Sequence, residues 1–495
     1  MKILKHNLEI SVFFCGAIIM IFELAGSRVL GPYLGDSIFV WTSLIGIILG
    51  SLSLGYYLGG KLSDQKPKTE ILSLIIFLSA VCILITFLIK KPLLELFTKN
   101  SFNIKSLSVI ASLILFSPTS ILLGMVSPYA AKLKLKDLKN SGSTVGNLYA
   151  LSTLGSILGT FLSGFYLIPL FGTNQLLILI SIILVVISFI VFQNSFRKTK
   201  ISAILVFIFI LIIIKDYNNF LTKKRFIDVD TAYNRIWIYD FKDSENNEKK
   251  RIMDVNNVNH SAMSLENDNL VNEYTKYYHL AKHFNQGFEK TLMLGGAAYS
   301  FPKDFLKKYP TATIDVVEID PKVTELAKKY FKLKDDPRLK TYHQDGRVFL
   351  NQAQEKYDII FGDAFSSYYS IPYQLTTQEA VQKKYDILNQ KGVVILNIIS
   401  AMEGEKGEFL RAEYATYKSV FPQVYLFAVD KADDPNEVQN IMLVALKSDQ
   451  NPSFESSDPE LNSYLKHLWT QEIKQDKPIL TDDHAPVDYY ISKIL

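Results

Sequence analysis

The hydrophobic pattern changes character once along the chain. Up to about residue 215, apolar residues come in long blocks at 8–34, 37–61, 71–89 and 106–131, followed by a stretch between Lys139 and Arg197 without a single charge and a shorter block at 201–214. A helix needs about 20 apolar residues to cross a hydrocarbon core of roughly 30 Å. The blocks therefore predict seven spans, with six to eight admitted because the last is short, and with a turn at Pro169–Gln175 dividing the charge-free stretch in two. From 226 onward the period shortens. Arg235–Asp240 alternates as a strand, Arg251–Asp254 follows a polar turn, and Leu270–Phe284 reads as a helix. Strands at 291–294, 313–317, 339–343, 359–362 and 392–398 then alternate with helices at 301–308, 321–330, 346–353 and 377–387, the pattern of a doubly wound parallel sheet. The expected order is a multi-pass α-helical membrane domain at 1–215, a linker and small β-rich subdomain with a hairpin at 216–286, and an α/β domain at 287–495.

Charge sharpens that division. Residues 1–215 carry 18 basic and 7 acidic side chains, whereas the remainder carries 35 basic and 42 acidic, so the soluble part lacks the basic footprint that nucleic acid requires. No nucleic-acid partner is expected; the lipid bilayer is. The two cysteines, Cys15 and Cys82, lie in apolar blocks and supply neither a disulfide framework nor a zinc cluster, so no metal is expected. The first apolar block continues past Glu23 without a small-residue cleavage site, which argues against a cleaved secretion signal.

Within the apolar part, Gly31-Pro32-Tyr33 is echoed by Ser127-Pro128-Tyr129, and the spacing of Gly46, Gly50 and Gly55 by Gly155, Gly159 and Gly164, suggesting two three-helix repeats of opposite topology. Small residues wherever membrane helices pack closely would give the same echo. Loop lysines do not settle the orientation. Lys61/Lys66/Lys68, Lys132/Lys134/Lys136/Lys139 and Arg197/Lys198/Lys200 mark alternate loops as inside, but the loop with Lys90, Lys91, Lys99 and Lys105 votes the other way. Glu23 is the acidic residue deep within the first span, and Arg28 follows near its end. An intramembrane carboxylate is costly enough to suggest a function, against the plainer reading that the two pair with each other or with a neighbouring helix.

The strand ends hold the chemistry of the soluble part, as open α/β sheets require. Gly295-Gly296-Ala297-Ala298 follows the first strand and lets a ligand approach the backbone. Glu318, roughly 20 residues later at the end of the second, has the spacing of a carboxylate that accepts from two ribose hydroxyls. Asp345-Gly346 ends the third strand and suits an adenine amino group, while Asp363 ends the fourth, where reacting atoms belong. Together they predict an adenosine-containing ligand. A dinucleotide fits poorly, because the third glycine of such a turn is missing and no phosphate-binding lysine follows.

These residues carry a resemblance. Leu292-Met-Leu-Gly-Gly, Val317-Glu-Ile-Asp-Pro321, Asp345-Gly-Arg347, Tyr357-Asp-Ile-Ile-Phe-Gly-Asp-Ala-Phe365, Ile371-Pro372 and Leu375-Thr-Thr377 are similar to the spermidine synthase family. With Leu480-Thr-Asp-Asp-His-Ala-Pro-Val-Asp488 and the small-residue-rich helices, the whole chain resembles the membrane-integrated spermidine synthase-like proteins, part of the polyamine aminopropyltransferases. The resemblance implies a Rossmann-like, methyltransferase-type catalytic domain that takes S-adenosylmethionine or its decarboxylated form and releases 5′-methylthioadenosine. It further implies Glu318 on the ribose, Gly295 and Gly296 beside the ligand, Asp345 with Gly346 on the adenine, and Asp363 as the carboxylate receiving a proton from an attacking amine. Asp254, His260, Tyr274, Tyr299 and Tyr368 become the expected substrate pocket. A small-molecule amine acceptor and a homodimer are both admitted, and the catalytic domain is expected on the cytoplasmic side of the cell (inner) membrane, where the substrate is made.

Two departures matter. The family has an aspartate where this chain has Ala298, and a second where it has Ser366. Those carboxylates bind ammonium groups, and losing them weakens attraction for a diamine while removing repulsion of the carboxylate on intact S-adenosylmethionine. Two reactions therefore stay open: aminopropyl transfer with Asp363 as general base, and an intramolecular lyase reaction of intact S-adenosylmethionine giving homoserine lactone and methylthioadenosine, which needs only proximity. In the second, Tyr299, Tyr368, Tyr369 and Tyr373 are candidates for cation–π contact with the sulfonium, ordinary packing being the alternative. A methyltransferase, or a polyamine or adenosyl-compound transporter or sensor that binds without turnover, stands behind these.

Overall fold

The computed structural model describes residues 6–98, 104–135, 141–191, 227–243, 247–364, 371–431 and 433–494. The chain divides into two compact units, between Lys224 and Arg225.

The first unit holds helices α1 (Asn7–Leu34), α2 (Ile38–Gln65), α3 (Thr69–Thr98), α4 (Ile104–Lys134), α5 (Ser141–Leu162) and α6 (Ile168–Val191), with a π-helical segment Ser163–Leu167 between the last two. Among the described residues, five continuous helical stretches are long and apolar enough to cross a membrane. The fifth runs over 51 residues, from Ser141 to Val191. At a rise of about 1.5 Å per residue it would be more than twice a hydrocarbon core of roughly 30 Å. It is interrupted at Gly172, which has φ 67°, inside the expected turn Pro169–Gln175. The short block at 201–214 and the Arg197/Lys198/Lys200 loop lie outside the described residues.

The glycines reveal how the helices pair. A Cβ on Gly155 would overlap the Phe13 carbonyl oxygen and one on Gly159 that of Ala17, so α1 and α5 touch backbone to backbone and run in the same direction. A Cβ on Gly55 would overlap the Ile121 carbonyl and one on Gly59 would meet Met125 Cα at 2.6 Å, the same relation between α2 and α4. Exchanging α1–α3 with α4–α6 interchanges these two pairs. The third pair, α3 and α6, runs antiparallel, with Ser73 hydrogen-bonded to Ser188 and Lys90 to Asn174. This is the packing of an inverted repeat. The register differs from the sequence echo: Gly55/Gly59 correspond to Gly155/Gly159, whereas Gly46, Gly50 and Gly164 meet nothing within 4 Å. Glu23, half-buried on α1, has no hydrogen bond or ion pair among the described residues, so the plainer reading that it pairs with Arg28 is not what the structure shows.

The second unit begins with a four-stranded antiparallel sheet, β1 (Ile227–Asp230), β2 (Arg235–Lys242), β3 (Lys249–Val255) and β4 (Val258–Ser264). The expected helix at 270–284 is two short ones, α7 (Glu273–Tyr277) and α8 (Leu280–Phe284). Then come β5 (Lys290–Leu294), α9 (Ser300–Lys308), β6 (Thr313–Val317), α10 (Pro321–Tyr330), β7 (Leu339–Tyr342), α11 (Gly346–Gln352), β8 (Tyr357–Gly362), α12 (Gln378–Ile387) and β9 (Leu388–Ser400). These five strands are parallel in the order β9-β8-β5-β6-β7, the expected doubly wound sheet. After α13 (Glu408–Lys418), strands β10 (Gln423–Ala428) and β11 (Gln439–Leu446), not foreseen in the sequence, extend the β9 edge antiparallel. Two short helices, α14 (Pro459–Leu465) and α15 (Val487–Ile491), follow. Strand order reverses between β5 and β8, so a crevice opens beyond their carboxyl ends. The small sheet is seated on α10 through Ile236, Ile238, Met253 and Val255 against Val323, Leu326 and Phe331.

Candidate active site

Glycine is required at 295. Its φ is +94°, and a Cβ there would overlap the carbonyl oxygen of Asp363. That close approach joins the turn after β5 to the end of β8, where Asp363 N also donates to Leu294 O at 2.8 Å. Glu318, buried at the end of β6, closes the turn from the other side. Its Oε2 accepts from the amides of Gly296 (3.0 Å) and Ala297 (3.3 Å), and its Oε1 from Asp320 N (3.0 Å). Burial raises its pKa, and the amides oppose the rise. Asp345 caps α11, Oδ1 accepting from Arg347 N and Val348 N at 2.8 and 3.0 Å. The methyl groups of Leu375 lie 3.4 Å from where a Cβ on Gly346 would be, so a side chain there would crowd the same wall.

Asp363 opens onto a cavity of about 590 Å³ and is otherwise enclosed by protein. Tyr274 Oη donates to its Oδ2 at 3.0 Å and Asn397 Nδ2 to its Oδ1 at 3.3 Å. Burial pushes the carboxyl up to about 6, against the pull of those two donors. Tyr239, His260, Tyr274, Ala297 and Asn397 share the cavity lining. A carboxylate with this geometry can take a proton from a group held in the cavity near neutral pH.

Residues 273–452 match the spermine/spermidine synthase domain. The polyamine aminopropyltransferase of Vibrio vulnificus is 33% identical over 220 residues, 41% of this chain and 71% of that protein. The chain belongs to the spermine/spermidine synthase family. Its relatives are transferases by name. Polyamine aminopropyltransferase 2 of Aquifex aeolicus is 23% identical over 412 residues, covering 78% of this chain and 79% of that one, so the similarity extends into the apolar half. Among solved structures, a probable spermidine synthase from Corynebacterium glutamicum aligns with a TM-score of 0.40 at 21% identity, over 48% of this chain and 85% of that one.

Several of the expected site residues lie elsewhere. Tyr299 does not line the cavity. It adopts φ 57°, is fully buried in the core, and its hydroxyl bonds Thr324 Oγ1 at 2.8 Å, so it packs in the core and not in the cavity wall. The reason is local: the left-handed backbone at 299 turns the ring under Gly296, whose Cβ would lie 3.0 Å from it. Tyr373 is exposed. Asp254 is not among the residues lining the cavity; its carboxylate accepts from Tyr239 Oη at 2.9 Å, so it fixes a lining residue. Ala298 is fully buried among the apolar residues of the small sheet, leaving no carboxylate at that position. Tyr368, Tyr369 and Ser366 lie outside the described residues. Two residues were missed. Asn397 was the lone amide in the buried run Val393–Ser400 and so carried a signal, since a buried polar group asks for a partner. Tyr278, whose hydroxyl donates to Gly362 O at 2.9 Å beneath Asp363, had no such mark among 27 tyrosines.

Proposed function

We propose that this protein is a membrane-integrated aminopropyltransferase whose soluble domain faces the cytoplasm. Decarboxylated S-adenosylmethionine would lie with its ribose on Glu318, its adenine between Asp345/Gly346 and Leu375, and its sulfonium toward Asp363. The amine nitrogen attacks the methylene carbon bound to the sulfonium. The carbon–sulfur bond breaks, its electron pair stays on sulfur to give 5′-methylthioadenosine, and the proton lost by the amine passes to Asp363. The observation that carries this reading is Asp363 itself, a carboxylate brought to about 6 and fixed by two hydrogen bonds at the head of a cavity. A general base works best with a pKa near the operating pH. The five long apolar helices support embedding in a membrane.

A second reading is favoured by Ala298. With an apolar contact where the family has a carboxylate, intact S-adenosylmethionine meets less repulsion, and its own carboxylate can displace methylthioadenosine to leave homoserine lactone. The test incubates the purified chain with intact and with decarboxylated S-adenosylmethionine, each with and without putrescine, and identifies products by mass. Methylthioadenosine that forms from the decarboxylated donor only with amine supports transfer. Its formation from intact donor without amine overturns transfer in favour of the lyase. Binding without turnover of either donor overturns both and favours a sensor or transporter.

A further inference from the structure

The segment Leu480–Asp488 lies beyond the matched family domain and takes no part in the chemistry above. It is nevertheless built into the wall of the nucleoside site. Thr481 and His484 close a turn through paired backbone hydrogen bonds of 3.1 and 3.0 Å. Gln378 N donates to Leu480 O at 2.7 Å and Leu480 N to Thr416 Oγ1 at 2.9 Å, so the turn is anchored to α12 and α13. Thus held, the Asp482 carboxylate receives both guanidinium nitrogens of Arg347, at 2.9 and 2.6 Å, and the Thr377 hydroxyl at 2.7 Å.

Arg347 uses the same Nη1 to donate to Gln374 O at 2.8 Å. One residue on, the buried Lys384 donates to Leu375 O at 3.0 Å and to Tyr417 Oη at 2.7 Å, with the buried Glu413 carboxyl acting on it electrostatically. Consecutive carbonyls of one turn are therefore gripped by the side chains of Arg347 and Lys384, the first of them faced by the Asp482 carboxylate. That turn carries what the nucleoside would meet. Leu375 packs on Gly346, and Gln374 Nε2 reaches Asp345 Oδ2 at 3.5 Å.

We propose that Asp482, acting through Arg347, is a positioning residue for the adenine end of the adenosyl substrate, setting affinity for the nucleoside rather than the rate of its chemistry. The inference rests on the adenosyl reading of the site. A two-pronged arginine–carboxylate pair fixes orientation, which a lysine in place of the arginine cannot do. Asp482 is 46% exposed, and exposed pairs add little to global stability, so the cost of breaking this one should appear in the wall it orients.

The test measures 5′-methylthioadenosine affinity by calorimetry, together with unfolding temperature and steady-state kinetics, for Asp482→Asn and Arg347→Lys. Asp476→Asn is the control. It breaks the comparable two-pronged pair with Arg411 (2.7 and 3.2 Å), which anchors the same terminal segment away from the 373–375 turn. Both test variants should bind methylthioadenosine about tenfold more weakly, with the loss in KM for the adenosyl donor rather than in kcat and with unfolding temperature unchanged. Asp476→Asn should keep wild-type affinity. Wild-type affinity in Asp482→Asn, or an equal loss in Asp476→Asn, would overturn the proposal in favour of a simple terminal staple. Failure of the wild-type chain to bind methylthioadenosine would overturn the adenosyl reading and this inference together.

Discussion

Asp363, just past the end of β8, stands beside Asn397 of the neighbouring parallel strand β9, and the amide of one holds the carboxylate of the other. The pairing of Gly362 with Leu396 puts the next residues in register, and Asn397 Nδ2 then reaches Asp363 Oδ1 at 3.3 Å while Tyr274 Oη takes Oδ2. Both donors stabilise the ionised form, yet enclosure outweighs them and leaves the group at about 6.

The acid limb of the pH profile follows. A base must be deprotonated, so kcat/KM should rise about tenfold per pH unit below about 6 and level off above it. Tyr274→Phe removes a donor to the carboxylate, raises its pKa further and should carry the limb to higher pH. A limb unmoved by that substitution would disconnect Tyr274 from the titrating group.

Asp363→Asn separates stability from chemistry. The folded pKa exceeds the ordinary 3.8, so between that value and about 6 the native state binds more protons than the unfolded one, and stability falls as pH rises through that window. At pH 7.5 the asparagine should stabilise the soluble domain by up to about 3 kcal/mol. Turnover should drop by roughly a hundredfold or more, with methylthioadenosine affinity retained. Calorimetric unfolding at pH 5 and pH 7.5 checks the sign, since the gain should shrink at the lower pH.

Glu318 is engaged by three backbone amides before any ligand arrives. Glu318→Ala should both release the glycine turn and remove the acceptor for ribose, weakening methylthioadenosine binding by about a hundredfold or more. Calorimetry on a variant shown to be folded by circular dichroism tests this. Tight binding would mean that the nucleoside sits elsewhere.

The parallel sheet and its acidic strand ends were legible because period, turn glycines and carboxylates recur in a fixed order along the chain. Strands β10 and β11 were not, because Gln423–Ala428 and Gln439–Leu446 are short apolar runs whose periodicity does not separate strand from buried helix. Tyr299 was misplaced for a related reason. Its residue type suggested a ligand contact, but its direction is set by a left-handed backbone angle, and no residue pattern encodes that angle for a tyrosine. Asp254 shows the converse, a neighbourhood legible in the sequence, while whether a carboxylate lines a cavity or braces a lining tyrosine depends on the pleat of a hairpin whose register shifts at Met253/Asp254.

The glycine echo in the helices separates two classes of position that look alike in the sequence. A methyl group on Gly155 would overlap the Phe13 carbonyl, and backbone cannot move aside without parting α1 from α5, so Gly155→Ala should cost about 1–3 kcal/mol. Gly164 has open space around its Cα, so Gly164→Ala meets no atom and should be neutral or, through the better helix propensity of alanine, stabilising by up to about 1 kcal/mol. Gly59, opposite Met125 in the other half of the repeat, should behave as Gly155 does. Thermal unfolding of the three alanine variants in detergent decides the matter. Equal losses at 155, 59 and 164 would remove the distinction, whereas losses at 155 and 59 alone would tie the two halves to one packing rule, with the backbone contact rather than the glycine spacing as the conserved quantity.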